Sequence, residues 1–217
     1  MKFQNTAAAG AELATRLNEF HGSSQTIVIA IVSGGVGVGA EVARRLELPL
    51  ELLFIRRLLA PYGPQNVLCA TNVGGTLVVD AQVPQTLEAN GLDGLDWAIA
   101  DGLRQLSERE RFCRDARPPV DITGKQVILV DNGIHTGSTM LAAIRGVRKL
   151  GVTKIVAAVP IADANSRAVI ERAADEVFCL VWPEKFGHVG LWYNGSIRPT
   201  TEQILNLYLR AEETVNE

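Results

Sequence analysis

Residues 126–139 read Gln-Val-Ile-Leu-Val-Asp-Asn-Gly-Ile-His-Thr-Gly-Ser-Thr, and this stretch decides how the chain is built. Val127-Ile128-Leu129-Val130 is a short, largely β-branched apolar run, as expected of a strand covered on both faces in a parallel sheet. Asp131 to Ser138 carries two glycines and no apolar period, and Thr139 to Leu150 resumes with helical spacing that Gly151 ends. Strand, glycine-bearing turn and helix in direct succession make a cradle for an anion. The backbone N–H groups of Ile134 to Thr139 and the hydroxyls of Thr136, Ser138 and Thr139 gather at a helix N-terminus, where the dipole and unpaired donors favour a phosphate. Asp131 and Asn132, at the strand tip, are placed to accept hydrogen bonds from vicinal hydroxyls such as those of a ribose. A simple helix cap accounts for one hydroxyl, but not for three together with two glycines.

The same pattern recurs on both sides. Upstream, Thr26 to Val32 reads as a strand, residues 33–39 as a glycine-rich turn, Gly39 to Leu46 as a helix and Leu50 to Ile55 as a further strand after Pro49. Downstream, Lys154 to Val159 and Glu176 to Val181 are strands separated by a helical Asn165 to Ala174. Ala9, Leu13, Leu17 and Phe20 share one face of an opening amphipathic helix, and Thr201 to Glu213 forms a closing one. Strands alternating with helices at this spacing predict an α/β fold with an open, mostly parallel twisted sheet flanked by helices. Ligands in such sheets bind beyond the carboxyl ends of the strands, where both glycine-bearing turns lie. Asp93 to Arg114, with many charges of mixed sign, reads as one long and mostly solvated helix. Residues 60–91 are rich in Pro, Gly, Asn and Thr around Thr76-Leu77-Val78-Val79-Asp80, and read as a long loop and hairpin outside the regular sheet. The expected organisation is one domain over residues 1–217, with the loop, hairpin and long helix at 60–116 and a peripheral segment and helix at 183–213.

Composition narrows the function classes. With 47% hydrophobic and 21% charged residues, 217 residues suffice for one sizeable core. Twenty-one Lys and Arg against 24 Asp and Glu give a net charge of −3, which removes the basic footprint of a nucleic-acid binder. The longest apolar run, Ile27 to Val32, falls far short of the roughly 20 residues that cross a bilayer. No basic region followed by an apolar block stands at the N-terminus, so a cytoplasmic protein is expected. Cys69, Cys113 and Cys179 are scattered without metal or redox spacing and read as small reduced residues.

Residues 127–139 resemble the phosphoribosyl pyrophosphate signature of type I phosphoribosyltransferases: four apolar residues, two acidic positions, a variable stretch, then Thr-Gly-small-Thr. IVSGGVGVGAEVA (31–43) is similar to the pyrophosphate loop and helix of a bacterial group in that family. FIRRLLAPYGP (54–64), RPPVDITGK (117–125) and VGLWY (189–193) look like its later blocks. The likeness covers residues 25 to 195, and it implies that fold with a small C-terminal hood and pentosyl transfer from phosphoribosyl pyrophosphate to a nitrogenous base or amine. By the same likeness, Asp131, Asn132, Gly133, Ile134, His135, Thr136, Gly137, Ser138 and Thr139 would hold phosphoribosyl pyrophosphate. Ser33, Gly34, Gly35 and Val36, with Arg56 and Arg57, would hold the pyrophosphate, and Trp192 and Tyr193 would stack on a planar base. Asp131 and His135 are the catalytic candidates, His135 as a proton exchanger near neutral pH. Mg²⁺ would arrive on the ligand diphosphate, with no direct protein ligand assigned, and the assembly would be a homodimer.

Structural roles are open for the same residues: a solvated strand end for Arg56 and Arg57, a turn cap for His135, and core packing for Trp192 and Tyr193. Two departures bear on rate. Asn132 stands at the second acidic position, and Ser33 stands where the group usually has Arg or Lys. Each removes a charge from a charge-separating transition state, so Ser33→Arg with Asn132→Asp is expected to raise turnover. The loop from Ala60 to Gly75 resembles by position the segment that folds over the diphosphate. A non-catalytic sensor that keeps the cradle is compatible with the same residues. So is an NADP-dependent oxidoreductase, because Gly35-Val36-Gly37-Val38-Gly39-Ala40 fits G-x-G-x-x-A with Arg56 and Arg57 placed for a 2′-phosphate, although that leaves 131–139 unexplained.

Overall fold

The structure is a computed structural model that describes the backbone of residues 2–32, 34–59, 67–73, 76–80 and 95–213; side chains are described for these except over 56–99 and at 102, 103, 109, 212 and 213. The elements in chain order are α1 (Thr6–Arg16), β1 (Thr26–Val32), α2 (Val36–Leu46), β2 (Leu50–Leu59), β3 (Val67–Val73), β4 (Thr76–Asp80), α3 (Leu95–Arg114), β5 (Gln126–Val130), α4 (Ser138–Arg148), β6 (Lys154–Ile161), α5 (Arg167–Glu171), β7 (Glu176–Val181) and α6 (Thr201–Glu213). They form one open sheet in the order β4-β3-β2-β1-β5-β6-β7. Strands β2, β1, β5, β6 and β7 are mutually parallel.

The apolar strands are buried on both faces because each face has its own helical layer. In β1, Val28 and Ala30 face a cluster that holds Leu13 of α1, Val42 of α2, Leu106 of α3 and Tyr208 of α6. Ile27, Ile29 and Ile31 face the opposite cluster, with Met140 and Ile144 of α4 and Ile170 of α5. This two-sided burial is why the parallel strands read as continuous apolar runs rather than as an alternation.

Without the β3–β4 hairpin the parallel order is that of a flavodoxin-like sheet, and the chain reverses its direction of winding between β1 and β5. The crevice outside the carboxyl ends of these two strands is where the glycine-bearing turns meet. Among the described residues no helix is long and apolar enough to cross a membrane.

Two expectations need correction. The hairpin is not outside the sheet: β2 runs on to Leu59, and its pairing passes from β1 to β3, with Phe54 opposite Asn72 and Leu59 opposite Val67. Beyond Phe54 the β2 backbone would otherwise present unpaired amides, and the antiparallel β3 satisfies them. The expected loop from Ala60 to Gly75 therefore contains a strand, and its remaining residues lie outside the described ones.

The long helix α3 is also less solvated than its charges implied. Leu106 and Cys113 are buried in the core, and Glu110 is buried with them. Two of its charges, Glu110 and Arg114, point inward and are paired. The Arg114 guanidinium meets the fully buried Glu51 of β2 at 2.8 Å. Glu51 also accepts the N–H groups of Leu52 at 2.6 Å and Val120 at 2.7 Å. Tyr208 of α6 completes the cluster: its hydroxyl accepts from Arg114 at 2.9 Å and donates to Glu51 at 3.3 Å, while Arg117 donates to its carbonyl at 2.9 Å. This network fixes α6 against β2 and so sets one wall of the crevice.

Candidate functional site

The turn after β5 is built to leave donors free. Gly137 precedes α4 with φ of 84°, a left-handed conformation that glycine adopts without strain, and no side chain caps the helix. Ile134 is tied down: its N–H donates to the Ile161 carbonyl at 2.9 Å, and its carbonyl accepts from Asp163 at 2.8 Å. The run of unpartnered N–H groups thus starts one residue later than the sequence implied. From His135 to Thr139 the N–H groups have no hydrogen-bond partner among the described residues. The Thr136 and Ser138 hydroxyls lie 3.0 Å apart and are exposed to the same space. A cavity of ≈ 160 Å³ sits over this turn, lined by Asp131, Gly133 to Met140 and Val189.

That cavity adjoins a larger one of ≈ 670 Å³ over the crevice, and Asp131, Thr139 and Val189 line both. Its walls come from the end of β1 (Ile31, Val32) and the middle of β2 (Phe54, Ile55), from Gly34 and Asn132, from Cys113 of α3, and from Ile197 to Pro199, Thr201 and Ile204 at the C-terminal side. Asp131 stands at the junction. Its Oδ1 accepts the Asn132 N–H at 2.8 Å, and burial pushes its carboxyl up to about 7. A carboxylate held in this way gains from a ligand that offers hydroxyl donors in place of the lost water.

The loop after β1 lies against β5. A side chain at Gly35 would collide with the Val130 carbonyl oxygen, and one at Gly34 would come within 2.8 Å of the Asn132 amide. Only residues without Cβ allow the two loops to converge on the crevice.

A model of the phosphoribosyl transferase domain matches residues 2–194. The chain belongs to that family. A Mycobacterium tuberculosis protein provisionally named a phosphoribosyl transferase is 33% identical over 217 residues, covering 99% of this chain and 48% of that protein. The chain thus spans about half the length of the curated relatives it matches. The crystal structure of TT1426 from Thermus thermophilus superposes with a TM-score of 0.80 at 33% identity, covering 97% of this chain and 99% of that one. A hypothetical protein from Neisseria gonorrhoeae, crystallised with ppGpp, has a TM-score of 0.51 at 16% identity over 97% and 98% of the two chains, a likeness of fold alone.

Within this phosphoribosyl transferase fold, the structure gathers Asp131, Asn132, Gly133, the 134–139 turn and Gly34 around the two cavities. Gly35 and Val36 form the start of α2 behind them, Val36 fully buried. Ser33 lies outside the described residues, as do the side chains of Arg56 and Arg57, whose backbones pair with Ala70 and Cys69 in the hairpin. His135 is exposed, and its ring stacks on Phe186 with centroids 5.5 Å apart.

Tyr193 is placed in the core rather than as the stacking residue that the resemblance implied, and Trp192 beside it is half-buried. Tyr193 is only 4% exposed, its ring packs on Phe3 with centroids 5.5 Å apart, and its hydroxyl donates to the Asn132 carbonyl at 2.6 Å. The Trp192 indole N–H donates to the Phe186 carbonyl at 2.9 Å. Burial pushes the Tyr193 hydroxyl upward, helped by Asp131, so it stays a donor.

Gly37, the second glycine of the dinucleotide pattern, lies against the Thr6 hydroxyl of α1 rather than toward the cavity. Membership of the phosphoribosyl transferase family stands against the oxidoreductase reading. Arg198 was not legible as a site residue: it is exposed, it lines the large cavity, and it forms no ion pair among the described residues. Its only sequence signal is a lone Arg in an aperiodic segment, which is the signal of any surface arginine.

Proposed function

We propose that this phosphoribosyl transferase family member binds phosphoribosyl pyrophosphate and joins its ribose to a nitrogenous base or amine. The observation that carries the reading is the uncapped N-terminus of α4 with free N–H groups from His135 to Thr139, opening through Asp131 into the large cavity. The 5′-phosphate would occupy the turn, the ribose diol would face Asp131, and the diphosphate would extend toward Gly34 with Arg198 as a countercharge. In the transfer, the acceptor nitrogen forms a bond to ribose C1 while the C1–oxygen bond breaks and its electron pair leaves with pyrophosphate. The protein's part is orientation, donors for the departing charge and exclusion of water.

A Mg²⁺ ion carried by the ligand diphosphate would lie near Asp131, the carboxyl that lines both cavities. Such an ion would neutralise part of the leaving charge. The proposed assembly is a homodimer in the cytoplasm, checked by light scattering for the mass of two chains.

Mg²⁺-dependent pyrophosphorolysis of a nucleotide panel tests the activity, and titration with phosphoribosyl pyrophosphate tests the site. Binding without turnover on any nucleotide would support the sensor reading. No binding would overturn both.

A further inference from the structure

Asn132 is where this chain departs from the two-acid signature, and its side chain, at the edge of the large cavity, is held by protein from the Gly34 and Ile197 sides. It is buried, at 7% exposure. Its Nδ2 donates to the Ile197 carbonyl at 3.3 Å. Its side chain lies flat on Gly34, so close that a Cβ there would meet Nδ2 at 2.7 Å and Oδ1 at 2.8 Å. Its own carbonyl accepts the Tyr193 hydroxyl at 2.6 Å, and its N–H is held by Asp131. One residue therefore joins three segments far apart in sequence: the loop after β1, the turn after β5, and the stretch 193–197. The last of these continues into Arg198 and Pro199, which line the large cavity with Ile197.

We propose that Asn132 is a positioning residue: its amide latches the 193–199 segment onto the two phosphate-binding loops and thereby sets the C-terminal wall of the site. The chemistry requires an amide. Ile197 offers a carbonyl oxygen, which needs a donor, and an ionised carboxylate at 132 has none to give. Two oxygens would then face each other in a buried place beside the Asp131 carboxyl, and the wall would lose its tie. The neutral residue is thus fitted to this chain's architecture, and restoring the acid would not restore function. This inference rests on the reading that phosphoribosyl pyrophosphate occupies the cavity, and it opposes the expectation that Asn132→Asp raises turnover.

The decisive variant is Asn132→Asp, because it keeps oxygens able to accept ribose hydroxyls while removing the donor to Ile197. Three measurements are made on the full chain: hydrogen exchange at 193–199 without ligand, affinity for inorganic phosphate, and affinity for phosphoribosyl pyrophosphate with Mg²⁺. The expected result is faster exchange at 193–199 with unchanged exchange in β1 and β5. Phosphate affinity should stay within about two-fold, and phosphoribosyl pyrophosphate should bind about ten-fold more weakly, as loss of one buried hydrogen bond implies.

Tyr193→Phe, which removes the hydroxyl tie to the Asn132 carbonyl, should loosen the same segment and serves if the first variant does not fold. If Asn132→Asp binds phosphoribosyl pyrophosphate as tightly as the parent or more tightly, with exchange at 193–199 unchanged, Asn132 is a ribose ligand and no latch. If the parent itself does not bind phosphoribosyl pyrophosphate, the ligand reading fails, while the exchange experiment still decides the latch.

Discussion

Asp131→Asn should make the ligand-free protein more stable at alkaline pH while weakening its hold on a ribose. The carboxyl is pushed from 3.8 to about 7 by burial, with only the Asn132 N–H opposing. At about 1.36 kcal/mol per pH unit, that difference corresponds to ~4 kcal/mol of cost for holding the ionised group in the folded chain. The carboxylate faces an open cavity whose water offsets part of it, so ~2–4 kcal/mol is the working expectation.

Below about pH 4 the carboxyl is neutral in both states and the cost is absent. Between about 4 and about 7 the unfolded chain has ionised while the folded chain keeps its proton, so stability falls as pH rises. Above that window both states are ionised and the cost is constant. Urea denaturation of parent and variant near pH 4.5 and near pH 8.5 reads the difference directly. The variant should gain little at the lower pH and most of the ~2–4 kcal/mol at the higher one. Calorimetry with phosphoribosyl pyrophosphate should show the variant binding at least ~10-fold more weakly at pH 8.5. A variant no more stable than the parent at the higher pH, or equally stabilised at both, would refute the claim that Asp131 is an ion held at a cost for its ligand.

Thr136→Val and Thr139→Val should each weaken phosphoribosyl pyrophosphate binding by about 5–10-fold in calorimetry, since each removes a hydroxyl from the phosphate turn without changing shape. Tyr208→Phe should cost ~1–3 kcal/mol in urea denaturation by leaving Glu51 and Arg114 short of a partner. Arg114→Met should cost ~3–5 kcal/mol because it leaves the Glu51 carboxylate buried and unpaired. Gly35→Ala, which drives a methyl group into the Val130 carbonyl, should lower the melting temperature and weaken phosphate binding together, as thermal scans with and without phosphate would show.

The sequence by itself determined the parts of this protein that depend on local pattern. β1, β5, β7 and α6 begin and end where their residues predicted, because uninterrupted apolar runs and helical spacing are properties of neighbours along the chain. The 131–139 turn was legible for the same reason: glycines and hydroxyls between an apolar run and a helical period mark a strand–turn–helix junction without any knowledge of what surrounds it.

Tertiary structure alone decided what depends on a distant partner. That β2 pairs with β3 beyond Phe54, that Arg114 of α3 points inward to Glu51 and Tyr208, and that Tyr193 spends its hydroxyl on Asn132 are contacts between distant segments, Tyr208 and Glu51 being 157 positions apart, and charge or aromatic content does not specify them. Arg198 reaches the wall of the large cavity in the same way, through the placement of the segment before α6 rather than through any motif. The identity of Asn132 shows the division most clearly. In sequence it is a missing charge, and only the fold, by bringing Gly34 and the Ile197 carbonyl to its amide, gives that neutrality a use.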